Sequence, residues 1–187
     1  MNETPNMMGA NPTLEDLQIF LNANFDFRYN VLTDMPECKP KNTTTYRMID
    51  KRMLNSLSYK AMMQGIDCKD ADVKRFLFSD QIATHHPFKD YIATLPEWDG
   101  TDRVTILAAR VSGKAMWLNG FHRWMLGMVA QWLGYPARCA NALAPILISA
   151  EQGMCKSTFC SILLPEELRG YYTDKFAITS TSGCEQK

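Results

Sequence analysis

The sequence predicts a mostly helical α/β chain in three parts. These are a small α/β module over 13–82 behind a flexible 1–12, a helical block over 83–144, and over 145–187 the opening strand, loop and helix of a phosphate-binding fold. Three observations carry this. Apolar residues recur at helical spacing through most of the chain, one early stretch alternates with the period of a strand, and the run Ile146-Leu147-Ile148 leads through a glycine-bearing loop into Lys156-Ser157-Thr158.

In order, Thr13 with Asp16 three residues on resembles a capping box, and Leu14, Leu17, Phe20 and Leu21 share one face of the helix that follows. Phe25 to Leu32 alternates as a strand. The stretch T-D-M-P-E-C-K-P-K-N, Thr33 to Asn42, reads as turn material, so the hairpin partner is expected at Thr44 to Met48. Asp50 caps a helix carrying Met53, Leu54, Leu57, Ala61 and Met62 and ended by Gly65, and another helix runs from about Lys69 to Phe78. Arg28, Lys39, Lys41, Arg47, Lys51, Arg52, Lys60, Lys74 and Arg75 give this module a basic lean. Interspersed acids make a solvated face the plainer reading of it, and contact with a phosphate backbone the alternative.

Pro87 opens a short helix after His85 and His86, which lack a third ligand and read as structural. The turn Leu95 to Arg103 is anchored by Trp98, and helices follow over about 102–111 and 114–133. In the longer one Trp117, Phe121, Trp124, Met128 and Trp132 recur at helical spacing, a packing face rather than a stacking platform. Gly134 and Pro136 end it, and Arg138, Cys139 and Asn141 lead toward the loop. The helical block should therefore pack on that loop.

Composition excludes several classes. With 46% hydrophobic and 11% aromatic residues the chain is globular, and 20 basic against 20 acidic residues leave no global field for nucleic acid. Six cysteines form no C-x-x-C and have no His partner at zinc-ligand spacing, so reduced thiols are expected. No segment approaches a membrane span and no basic leader precedes one, which predicts a cytoplasmic protein without membrane contact.

Pro145 to Cys160, P-I-L-I-S-A-E-Q-G-M-C-K-S-T-F-C, has the layout of a P-loop. A strand ends, backbone N–H groups curl inward, and the next helix aims its positive end at the same spot. Lys156 would place its charge on the β- and γ-phosphates of a nucleoside triphosphate, and Ser157 would offer its hydroxyl to Mg2+. Ala150 and Cys155 stand where the motif has glycines, while Gly153 keeps one permissive residue inside the loop. A plain strand-turn-helix with a chance K-S-T is the alternative.

Several stretches together carry a family resemblance: N-F-D-F-R-Y-N-V-L-T from Asn24, H-P-F-K-D-Y from His86, L-P-E-W-D-G-T-D-R from Leu95, F-H-R-W-M-L-G-M-V-A-Q-W-L-G from Phe121, and L-I-S-A-E-Q-G-M-C-K-S-T-F from Leu147. Over roughly 14–187 the chain resembles the virulence-associated protein E family, in the branch carried on mobile elements of Bacteroides-type bacteria. The resemblance implies a P-loop NTPase of AAA+ or superfamily-3-helicase-like type, related to the helicase half of primase-helicases and acting in replication of a mobile element. It implies ATP and Mg2+ as cofactors, with DNA and a primase or replication protein as partners. The expected nucleotide-binding set is Gly153, Met154, Cys155, Lys156, Ser157 and Thr158, with Ser157 also on the metal and no catalytic residue assigned. Trp98, Asp99, Gly100 and Arg103 match a family turn to which a structural role falls by default.

Family members continue into a strand ending in metal-binding acids and then into sensor and arginine elements, whereas this chain stops at Lys187. Asp174 and Glu185 sit on no apolar strand. The expectation is a truncated monomer, poorly ordered after about Phe176, that binds nucleotide weakly and does not hydrolyse it unaided. The alternative is a non-catalytic DNA-binding or protein-interaction module whose degenerate P-loop is a remnant.

Overall fold

The computed structural model describes residues 12–135 and 143–173. The expected flexible N-terminus up to residue 11, the lead-in residues Arg138, Cys139 and Asn141, and the tail with Asp174 and Glu185 lie outside the described residues, as does the Thr13 side chain of the expected cap. The protein is mixed α/β and forms two compact units, residues 12–86 and residues 87–135 with 143–173.

In the first unit, helix α1 (Pro12–Asn24) runs directly into strand β1 (Phe25–Asn30). Leu17 and Leu21 are fully buried as their spacing predicts, but Leu14 falls off the buried face and stays 40% exposed. Strand β2 (Met35–Pro40) pairs antiparallel with β1, from Phe25 opposite Pro40 to Asn30 opposite Met35. The expected hairpin partner is thus corrected. The proline-bearing stretch is the strand, and Thr44 to Met48 supplies only the two-residue edge strand β3 (Arg47–Met48).

The physical reason is that β2 alternates despite its two prolines. Pro36 and Cys38 point into the core, and Glu37 and Lys39 turn to the other face. The Pro36 and Pro40 carbonyls accept from Ile49 and Thr43 rather than from β1. N–H and C=O of one strand residue point to the same side, so the missing proline donors cost the β1 ladder nothing.

Helix α2 (Lys51–Met63) starts where expected, Asp50 accepting the Met53 N–H at 2.7 Å. Helix α3 (Asp70–Leu77) has the Asp72 carboxylate returning to the Lys69 N–H. Strand β4 (Thr84–His85) pairs parallel with β1, completing a mixed sheet in the order β3-β2-β1-β4. His85 is therefore structural through its backbone, which accepts from the Val31 N–H. The core gathers Leu17 and Leu21 of α1, Phe25, Leu57 and Ala61 of α2, and Val73 and Leu77 of α3.

The second unit holds α4 (Pro87–Thr94), α5 (Arg103–Ala109), α6 (Ala115–Leu133), α7 (Lys156–Ile162) and a 3-10 helix, Glu166–Tyr171. Pro87 stands at the first position of α4, Asp102 caps α5 through the Thr105 N–H, and Gly134 closes α6 in the left-handed conformation. The aromatic stripe of α6 is a packing face. Phe121 is 1% exposed and its ring lies 5.3 Å from Trp117 and 5.5 Å from Trp124, while Trp132 meets Phe88 at 4.5 Å. No described helix is long and apolar enough to cross a membrane.

Candidate phosphate-binding loop

Phe159, on the first turns of α7, sets its ring 6.1 Å from Phe121 of α6. The aromatic stripe thereby fixes the helix that carries Lys156, Ser157 and Thr158, in keeping with the packing expected of the helical block. Lys156 is half-buried, and Ser157 and Thr158 are exposed at the start of α7.

Ahead of α7 the loop folds on itself. Ser149 Oγ donates to the Glu151 carbonyl at 3.0 Å and accepts from the Glu151 N–H at 3.1 Å. Gly153 then adopts φ 79°, and Cys155 adopts φ 51°, ψ 27°. Met154 between them is not left-handed, and Lys156 after them is helical. Left-handed residues alternating with others turn successive N–H groups toward one concavity, the backbone nest that binds anions in phosphate loops.

Cys155 therefore fills the glycine position of the motif in the backbone conformation glycine would take, at the steric cost its Cβ carries there. Its thiol turns back to the Gly153 carbonyl at 3.6 Å and caps nothing. The first-turn N–H groups of α7 lack both a side-chain cap and intrahelical acceptors. Among the expected set, Gly153, Cys155 and Lys156 are thus joined by one backbone arrangement, while Met154 is a solvent-exposed spacer at 57%.

One element departs from expectation. Ile146-Leu147-Ile148 forms no strand, and Ile146 and Ile148 are 76% and 89% exposed. A buried parallel strand needs neighbours for its backbone groups and cover for both faces. This run is paired with no strand among the described residues.

No group of three or more His, Cys, Asp or Glu side chains among the described residues is arranged to hold a metal. The Trp98 turn is built from within. The Asp99 carboxylate accepts from both Arg103 guanidinium nitrogens at 2.7 and 2.5 Å and from the Thr101 N–H, and Trp98 Nε1 donates to the Thr101 carbonyl. The Arg103 pairing and the Thr101 N–H hold the Asp99 carboxyl well below the usual carboxylate range. This turn delivers Asp102 to cap α5, an architectural part for which the sequence offered no chemistry.

Compared with known proteins, the chain matches no family model, no curated protein and no solved structure.

Proposed function

We propose that the chain carries the nucleotide-binding loop of a P-loop ATPase of the virulence-associated E type, serving DNA replication of a mobile element in the cytoplasm. The observation that carries this reading is the paired left-handed backbone at Gly153 and Cys155 immediately before Lys156. In that frame the nest N–H groups and the α7 amides hold the phosphates, Lys156 neutralises their charge, and Ser157 is positioned for Mg2+. ATP and Mg2+ supply the reactive phosphoanhydride and its counter-charge. No residue among those described has the place of a metal-binding acid or a general base, so binding without unaided turnover is the expected activity.

Titration calorimetry with MgATP on the chain and on Lys156→Ala tests this. Binding in the parent that disappears in the variant supports the reading. A folded parent that binds no MgATP overturns it.

The bare Ile146 to Ile148 run favours a second reading, in which the loop is a remnant within a non-catalytic DNA-binding or interaction module. That reading predicts the second outcome.

A further inference from the structure

Helix α2 places three cations and no carboxylate in its thirteen residues. Lys51, Arg52, Asn55, Ser56, Tyr59 and Lys60 line one shallow groove along its outer face. Their spacing of i, i+1, i+4, i+5, i+8 and i+9 sets them on a single stripe, opposite buried Leu57 and Ala61. An adjoining groove of about 740 Å³ adds Arg47 from β3 and the hydroxyls of Thr43, Thr44 and Thr45.

Of these cations only Lys60 is engaged within the fold, its ammonium lying 5.3 Å from the centre of the Phe25 ring. Arg28, Lys39 and Lys41 of the neighbouring hairpin are ion-paired to Glu37 or Asp26, but Arg47, Lys51 and Arg52 have no acidic partner among the described residues. The one carboxylate beside them, Asp50, caps α2 by accepting the Met53 N–H and forms no ion pair with them. Lys51 and Arg52 also stand in the first turn of α2, where the helix dipole disfavours positive charge. Helix stability does not explain their position.

We infer that this face of α2, extended by Arg47, is a binding surface for single-stranded nucleic acid. Lys51, Arg52 and Lys60 span about 13.5 Å of helix axis, which lets them follow consecutive phosphates of one strand. Tyr59 stands between them at 64% exposure, its ring available to stack on a base. Cations with an interleaved aromatic and no cluster of base-reading amides give sequence-independent recognition of a single strand. The surface lies wholly in the first unit and does not depend on nucleotide at Lys156.

Fluorescence anisotropy with labelled oligothymidine, across a salt series, tests this on the full chain. The variant Lys51→Glu/Arg52→Glu/Lys60→Glu is expected to bind at least about tenfold more weakly. Its log K against log salt should be shallower by about two, from about 0.7 for each phosphate no longer neutralised. The charge-keeping Lys51→Arg/Arg52→Lys/Lys60→Arg should bind as the parent. Tyr59→Ala should lose about five- to 150-fold with the slope unchanged, matching the stacking worth of one base. Circular dichroism establishes that each variant is folded, since all four side chains are exposed. Lys156→Ala should bind as the parent, so failure of nucleotide binding and failure of this surface are told apart. An unchanged affinity and slope in the charge-reversal variant overturns the inference. So does equal affinity for duplex with no effect of Tyr59→Ala, or equal competition by polyglutamate, which would point to an acidic protein instead.

Discussion

Phe121 and Phe159 face each other at 6.1 Å between ring centroids, across α6 and α7. Through this contact the most buried large side chain of the second unit supports the helix that begins with Lys156. Phe121→Ala is expected to cost about 3–5 kcal/mol of stability by opening a cavity among Trp117, Trp124 and Phe159. Phe159→Ala should cost less, since its ring is only half-buried, yet weaken MgATP binding as α7 loosens. Urea unfolding followed by tryptophan fluorescence, beside calorimetry, checks both.

Cys155→Gly should leave stability within about 1 kcal/mol of the parent. Relief of the left-handed Cβ clash is offset by the greater freedom of glycine in the unfolded chain. MgATP binding should tighten as the phosphates gain room. Cys155→Val should lose stability and binding together, because a β-branched side chain tolerates φ 51° poorly. A Val variant as stable as the Gly variant would contradict the loop geometry.

Asn30 is fully buried at the end of β1, its amide donating to Glu37 Oε1 at 2.8 Å and its carbonyl oxygen accepting from the Leu32 and Thr33 N–H groups. Asn30→Ala strips partners from two backbone donors and one carboxylate, and should cost about 2–3 kcal/mol. Asn30→Asp should be worse at neutral pH, since a second carboxylate then faces Glu37. Burial and that like charge raise its folded-state pKa, so the neutral acid is favoured and the defect should shrink on acidification. Thermal melts at pH 4 and 7 distinguish the two variants.

Burial pushes the Cys38 thiol up to about 11. The unfolded thiol ionises near its ordinary value of about 8.5. Between those values the unfolded chain binds fewer protons, so stability contributed by the neutral thiol is complete below the lower one and lost as pH rises through the upper. Cys38→Ala should therefore lose about 3 kcal/mol less than the parent over that interval, read from urea midpoints. With iodoacetamide at neutral pH, exposed Cys155 should react before buried Cys38 and Cys68.

The helices were legible because their signals are local. Asp50, Asp102, Pro87 and Gly134 mark ends through chemistry contained within one turn, and the Trp117 to Trp132 stripe carries its own period. The sheet was less so. Pro36 and Pro40 make β2 look like a turn, and only the direction of their carbonyls, a tertiary fact, shows why a strand tolerates them. β4 is two residues long and exists because β1 offers an edge. Ile146 to Ile148 failed the other way, since an apolar run is strand only when something pairs with it. At the loop, the motif marked where α7 begins but not the left-handed backbone at Cys155, and the basic residues of α2 were diluted in the sequence by acids that the fold pairs elsewhere.

The left-handed backbone at Cys155 also bears on how this loop can change over generations. Cysteine and glycine codons differ by a single base, and here the main chain already has the shape glycine prefers. Replacement by glycine would require no repacking elsewhere, since Cys155 is exposed, so substitution in either direction alters the room above Lys156 while leaving the architecture intact. Position 155 is thus a dial on which inheritance can tune the loop without rebuilding the protein around it.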